Sequence, residues 1–204
     1  MIRLYTAETP NGRKARIALD ELGLAYESRP VDLGAGAQRE SWFVALCPNG
    51  KIPVLQDGER VVWESGAILL YLAEHHDPDH RILPAEHSLR WQAIQLAFFQ
   101  AAGLGPNLGR LSDQLQTPDD RRNPEMVATF TKEVDRILGV LDLILADGRR
   151  FLAQEYSIAD IMHYPWLQPV LALRAPQLVD RPRVVAWLER IASRPAVEGV
   201  YGVR

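Results

Sequence analysis

Residues 49–72 read NGKIPVLQDGERVVWESGAILLYL. Two short apolar runs, IPVLQ and RVVW, flank Asp57-Gly58. That pair predicts a tight hairpin, because glycine accepts the left-handed backbone such turns demand. The period then changes. Ile68, Leu69 and Leu72 fall on one side of a helix, Ser65 stands where its cap belongs, and Pro78 stops it. A hairpin that feeds straight into a helix is half of a small mixed domain, and the rest of its sheet must come from upstream.

The upstream sequence supplies it. IRLYT (2–6) reads as a strand. A helix follows, with Thr9 at the N-cap, Pro10 at the first helical position, where a missing N–H costs nothing, and an apolar stripe of Ala15, Ala18, Leu19 and Leu22. Gly23 sits where a left-handed cap closes the helix. YESRPVDL (26–33) is a second strand, and residues 34–50 predict a loop with a weak helix. The order is therefore β-α-β-α-β-β-α. From residue 88 onward the period is helical, with helices predicted over 89–111, 125–147, 157–173 and 181–196. The break falls near HRILPAEHS (80–88). The layout is an α/β domain over 1–80, a linker over 81–87 and an all-α domain over 88–204.

Composition narrows the function classes. The chain has 204 residues, 47% hydrophobic and 24% charged, with a net charge of -3. That balance disfavours nucleic acid as a partner, since such binders carry a basic patch. One cysteine, Cys47, excludes an internal disulfide and fits a reducing, cytoplasmic location. The N-terminus lacks a signal peptide's apolar core, and GAILLYLA is too short to span a membrane. His75, His76, His80 and His87 lack metal-ligand spacing, so no metal is expected.

The turn Thr9-Pro10-Asn11-Gly12 contains no Cys, Ser, Tyr or His. A turn that aims N–H groups outward at a helix start holds something negative, yet this one brings no strong nucleophile of its own. Tyr5 precedes it inside a strand and reads as core. Arg13, Lys14 and Arg16 read as a solvated basic face. Cys47 lies away from the helix start and reads as an inert thiol. Ser157 and Asp160 form an S-x-x-D capping box with Tyr156 and Ile161 as a hydrophobic staple, which is folding machinery.

NGKIPVLQDG with ESGAILLYL, SIADI (157–161) and SRPAV (193–197), in this order over nearly the whole chain, resemble the glutathione transferase superfamily. TPNGRK, DLGAGAQ and AAGLGPNLG look most like its Nu class, glutathione-dependent disulfide-bond oxidoreductases. The resemblance implies a thioredoxin-like N-terminal domain, a helical C-terminal domain, a homodimer, and glutathione as co-substrate. It also implies a site. Pro53 is cis and leaves the Ile52 backbone to pair with the cysteinyl part of glutathione. Ser65 and the first turn of its helix take the γ-glutamyl carboxylate, and Glu64 faces the ammonium. Gln38 reaches the tripeptide, and Lys51 pairs with the glycyl carboxylate.

The nucleophile is then borrowed. Glutathione brings the thiol, and Asn11, ahead of Thr9, with the nearby backbone N–H groups, stabilises the thiolate. The Thr9 hydroxyl serves either as cap or as donor to sulfur. One departure concerns a second glutathione: the resemblance expects an Arg a few residues before Glu133, where this chain has Thr129, with Lys132 nearby. Three functions compete: disulfide reduction, conjugation of an electrophilic small molecule in an apolar cleft of Phe98, Phe99 and Trp166, and glutathione binding with little catalysis.

Overall fold

The computed structural model describes residues 1–173 and 175–202. Its elements run β1 (Ile2–Thr6), α1 (Pro10–Glu21), β2 (Tyr26–Pro30), α2 (Ser41–Leu46), β3 (Val54–Asp57), β4 (Arg60–Trp63), α3 (Ser65–His76), α4 (His87–Phe99), α5 (Gly105–Gln116), α6 (Pro124–Ile144), α7 (Ile158–Ala172), α8 (Pro182–Ala192) and α9 (Pro195–Tyr201). They form two compact units, Met1–Ala85 with the segment from Arg194, and Glu86–Ser193.

The first unit is built on a sheet of order β2-β1-β3-β4. β1 runs parallel to β2 and antiparallel to β3, and β3 pairs antiparallel with β4 through the hairpin at Gly58, which has φ 59°. A parallel β1–β2 pair needs a crossover, and α1 is that crossover. Strand alternation sorts the two faces: Ile2, Leu4 and Thr6 are buried, while Tyr5 points the other way. α1 packs against α3, burying Ala15, Ile17, Ala18 and Leu19 with Ile68, Leu69 and Leu72. On the opposite face Val31, Phe43, Cys47 and Val54 form a second cluster, with Tyr5 and Ile52 packed on it. Tyr5, read as core, is partly buried against this cluster, and the Cys47 thiol is buried within it. Gly23 has φ 66° and closes α1.

α9 belongs to this unit. It packs on α1, Arg194 grips Glu21 through two bonds of 2.6 and 2.7 Å, and the Arg13 guanidinium lies 4.5 Å over the Tyr201 ring. The sequence predicted one helix over 181–196. α8 instead stops at Ala192 and α9 starts at Pro195, because proline cannot continue a helix but suits the first turn of a new one.

The second unit is helical among its described residues, with α4 against α7, α5 against α6 and α7 against α8. Its centre is the start of α7. The predicted capping box is present. Asp160 does more than cap: its carboxylate accepts from Ser157 N at 2.9 Å, Leu152 N at 3.1 Å and Trp187 Nε1 at 2.8 Å. One side chain thereby ties α7 to the preceding loop and to α8.

The single helix predicted over 89–111 is interrupted. Residues Gln100–Leu104 form a wide segment in which Gly105 N–H donates to Gln100 O, five residues back. Pro106 has no N–H to offer a regular turn there, and a widened turn accommodates it. The small residues also have an intramolecular use: Cβ atoms added at Gly105 and Gly109 would stand 3.7 and 3.4 Å from the Trp166 indole. The glycines accommodate a tryptophan of the same unit.

Candidate functional site

The residues predicted to bind a ligand come from four places in the first unit: the turn into α1, the loop before α2, the loop before β3, and the start of α3. In the α1 turn, Thr9 is the N-cap, and its Oγ accepts Gly12 N–H at 3.1 Å. The Gly12 N–H is therefore committed to the cap, which corrects its reading as a donor for sulfur. The Thr9 hydroxyl hydrogen can still turn outward, because accepting does not use it. Gly12 is required here: a Cβ would lie 2.2 Å from Ala7 O and 2.5 Å from Thr6 Oγ. Asn11, between Pro10 and Gly12, is half-buried.

The Ile52–Pro53 peptide is cis. The ladder starts at Val54, paired with Tyr5 and Trp63, so Ile52 lies outside the sheet register. Lys51 beside it is exposed. In the loop before α2, Gln38 occupies a single helical turn, Ala37–Arg39. Its Oε1 is buried and meets no donor among the described residues. An orphaned buried acceptor costs stability, and a donor from a bound ligand would satisfy it.

At the start of α3 the structure corrects one assignment. The cap position is held by Glu64, and Ser65 is the first helical residue, buried. No side chain bonds back to the first turn. Glu64 has φ 72°, a left-handed backbone that a non-glycine residue adopts at a cost, and its side chain is not spent on the helix. The result is a helix N-terminus with an exposed carboxylate in front of it. Such a site suits a zwitterion, carboxylate on the N–H groups and ammonium on Glu64.

The basic cluster divides. Arg13 and Arg16 both pair with Glu8 at the surface. Lys14 does not share that face. It is 2% exposed, and burial pushes its ammonium down to about 7, with the Glu64 carboxylate partly opposing the shift. Its spacing held the signal: Lys14 stands four residues before Ala18, on the apolar stripe. Among the described residues, no group of three or more His, Cys, Asp or Glu could hold a metal, and no helix is long and apolar enough to cross a membrane.

Family models for the glutathione S-transferase N-terminal domain and C-terminal domain match residues 1–74 and 92–195. The chain belongs to the glutathione S-transferase family. The disulfide-bond oxidoreductase YfcG of Escherichia coli is 38% identical to this transferase over 96% of this chain and 92% of its own. The glutathione S-transferase-like protein tpcF of Aspergillus fumigatus is 35% identical over 97% and 93%. Among solved structures, a glutathione transferase homolog from Lodderomyces elongisporus, with two GSH per subunit, superposes with a TM-score of 0.90 at 31% identity, covering 98% of this chain and 97% of that one. The transferase fold predicted from the sequence is the fold observed, and the protein is an enzyme of the transferase type.

The residues of the apolar-cleft reading do not act alike. Phe98 is 64% exposed, Phe99 lies beside His163 with ring centres 6.2 Å apart, and Trp166 is packed onto the glycines of α5. Glu133 pairs with Arg136 through bonds of 2.9 and 2.6 Å, so its cation comes three residues after it rather than before.

Proposed function

We propose that the first unit binds glutathione and that the chain uses the bound thiolate to reduce disulfides, as a homodimer of the Nu-class type. The observation that carries this reading is the start of α3, where Glu64 holds an exposed carboxylate in a left-handed conformation before a helix that no side chain caps. The γ-glutamyl end, with its carboxylate and ammonium side by side, fits that pair of charges. Gln38 Oε1 then takes a donor from the tripeptide, the Ile52 backbone pairs with its cysteinyl part, and Lys51 meets the glycyl carboxylate.

The thiol lies at the α1 turn, where the Asn11 amide and the Thr9 hydroxyl donate to sulfur. The bound thiolate attacks one sulfur of the disulfide. A glutathione mixed disulfide forms, and the other sulfur leaves as a thiolate that takes up a proton. A second glutathione thiolate attacks the glutathione sulfur of that mixed disulfide. Oxidised glutathione forms and the second substrate thiol is released. Two glutathiones are oxidised and one disulfide is reduced, with no other redox partner. The protein supplies alignment and anion stabilisation. The names of YfcG and of the two-GSH structure agree with this sequence of steps.

Conjugation is the second reading, favoured by the exposed Phe98 ring and by tpcF. Steady-state reduction of a small model disulfide by glutathione, beside conjugation of a chloronitroaromatic, separates the two. The proposal expects strong disulfide turnover and weak conjugation. The reverse ratio makes the protein a conjugating transferase, and silence in both with glutathione bound makes it a binding protein.

A further inference from the structure

We propose that the cavity bounded by α1, β2 and α9 is a binding site for a phosphate monoester, with Arg13 and Arg16 taking the phosphate where the Glu8 carboxylate now sits. The spacing in α1 creates the polar wall of this cavity. Lys14, Ala15, Ile17 and Ala18 are buried, whereas Arg13, Arg16 and Asp20, three and four residues apart, share the other face. In β2, Tyr26 and Ser28 alternate to one side of the strand and line the cavity. Tyr201 of α9 stands on the third side, its ring 4.5 Å from the Arg13 guanidinium. The space between them measures about 640 Å³, within the roughly 300–1,000 Å³ of small-molecule sites.

Glu8 marks where an anion sits. Arg13 Nε meets one of its carboxylate oxygens at 3.3 Å, and Arg16 meets the other. The two arginine side chains are 26% and 23% exposed and Glu8 is 63% exposed, so the carboxylate reaches this fork from the solvent side. An ion pair that exposed is weak and exchanges readily. Glu8 is tethered beside its partners, however, so a second monocarboxylate gains nothing over it. A phosphate carries up to twice the charge and three acceptor oxygens, and arginine binds it bidentately. Tyr26 and Ser28 add hydroxyl donors. The Tyr26 hydroxyl lies among the charges: burial pushes it up, Asp20 adds to that shift, and Arg16 opposes it. Asp20 selects the rest of the ligand. Its carboxylate accepts from hydroxyl groups and repels a second anion, which favours one phosphate on a neutral, hydroxylated remainder.

The test is titration of the full chain with glycerophosphate, followed by amide NMR, with glycerol and with sodium chloride at matched ionic strength as controls. Saturable shifts are expected at Glu8, Arg13, Arg16 and Tyr201, and in neither control. Arg16→Gln should weaken binding by about tenfold or more, the fold-change for a lost charged hydrogen bond. Glu8→Gln should tighten it by about two- to fivefold, because the competing carboxylate is gone. Asp119→Asn, which removes the same charge from a 92% exposed side chain in the second unit, should leave the affinity unchanged. Shifts confined to the start of α3, shifts that sodium chloride reproduces, or no saturable shift overturn the proposal. So does an Arg16→Gln variant with wild-type affinity. Glu8→Gln that binds no more tightly, or Asp119→Asn that tightens binding equally, overturns the role of Glu8 as the anion to be displaced.

Discussion

At the scale of single residues, the proposed mechanism borrows its nucleophile and asks the protein to hold the charge. In that proposal Asn11 is the leading donor, since Gly12 N–H is already joined to Thr9 Oγ in the helix cap. Replacing Asn11 with Ala should lower kcat by about 100- to 1,000-fold, the loss expected for one donor to a developing anion. Glutathione binding should change little, because the carboxylates and ammonium are held elsewhere. Steady-state kinetics with both glutathione and disulfide varied will show whether kcat falls while KM for glutathione stays. Gln38 makes a different prediction. Its buried Oε1 is orphaned in the protein alone, so Gln38→Met should leave Tm unchanged or raise it while weakening glutathione binding. A drop in Tm would show that the acceptor already has a partner in the free protein.

Much of this was legible before any coordinates. Thr9 at the cap follows from residue type and spacing, because cap chemistry is local, whereas the cis Pro53 was implied by the family resemblance. Lys14 was misread as solvated. Lysine is so rarely buried that its type outweighed its place on the apolar stripe of α1, and only the packing of α3 over α1 reveals the burial. The exact cap of α3 was also missed by one residue, since the left-handed backbone at Glu64 has no glycine to announce it.

At the scale of elements, the Asp160 carboxylate is the sharpest case. Burial pushes it up to about 6, against three N–H donors that favour its ionised form. A folded-state value above the ordinary 3.8 means the native state prefers the protonated form. Its contribution is present in full below the unfolded value and is lost as pH rises through about 6. Asp160→Asn should therefore be less stable than wild type, with a deficit that shrinks as pH rises from acid to neutral. Denaturant unfolding of both proteins at several pH values checks this, and a deficit that grows toward neutral pH would contradict it. Ser157→Ala removes the cap acceptor alone and should cost about 0.5–2 kcal/mol. The box was plain in the sequence as S-x-x-D. Its bond to Trp187 was not, because 27 residues separate the partners. The wide turn at Gln100–Leu104 was hidden for a related reason: helical spacing continues on both sides of it, and only Pro106 hints at the interruption.

At the scale of the whole molecule, the chain returns to its beginning. Arg194 and Glu21 are 173 residues apart in sequence and share two charge-assisted bonds. α9 is thereby part of the first unit, and no periodicity within α9 could say so. Glu21→Gln should lower stability by about 1–3 kcal/mol, the range for a partly buried hydrogen-bonded charge, and amide exchange along α9 should accelerate more than exchange in α6. The family and its two-part fold could be read from the sequence because motifs at 49–72, 157–161 and 193–197 stand in order. The choice between disulfide and electrophile could not, because that depends on which groups the helices present to the second substrate.

The central claim is that the first unit holds glutathione as a thiolate without a nucleophile of its own. The most direct test is a pH titration of the ultraviolet thiolate absorbance of bound glutathione, in wild type and in Asn11→Ala. The account predicts a thiol that titrates well below its free value of about 8.5 in wild type and moves back toward it in the variant. A bound thiol that titrates at its free value in both proteins would contradict the account.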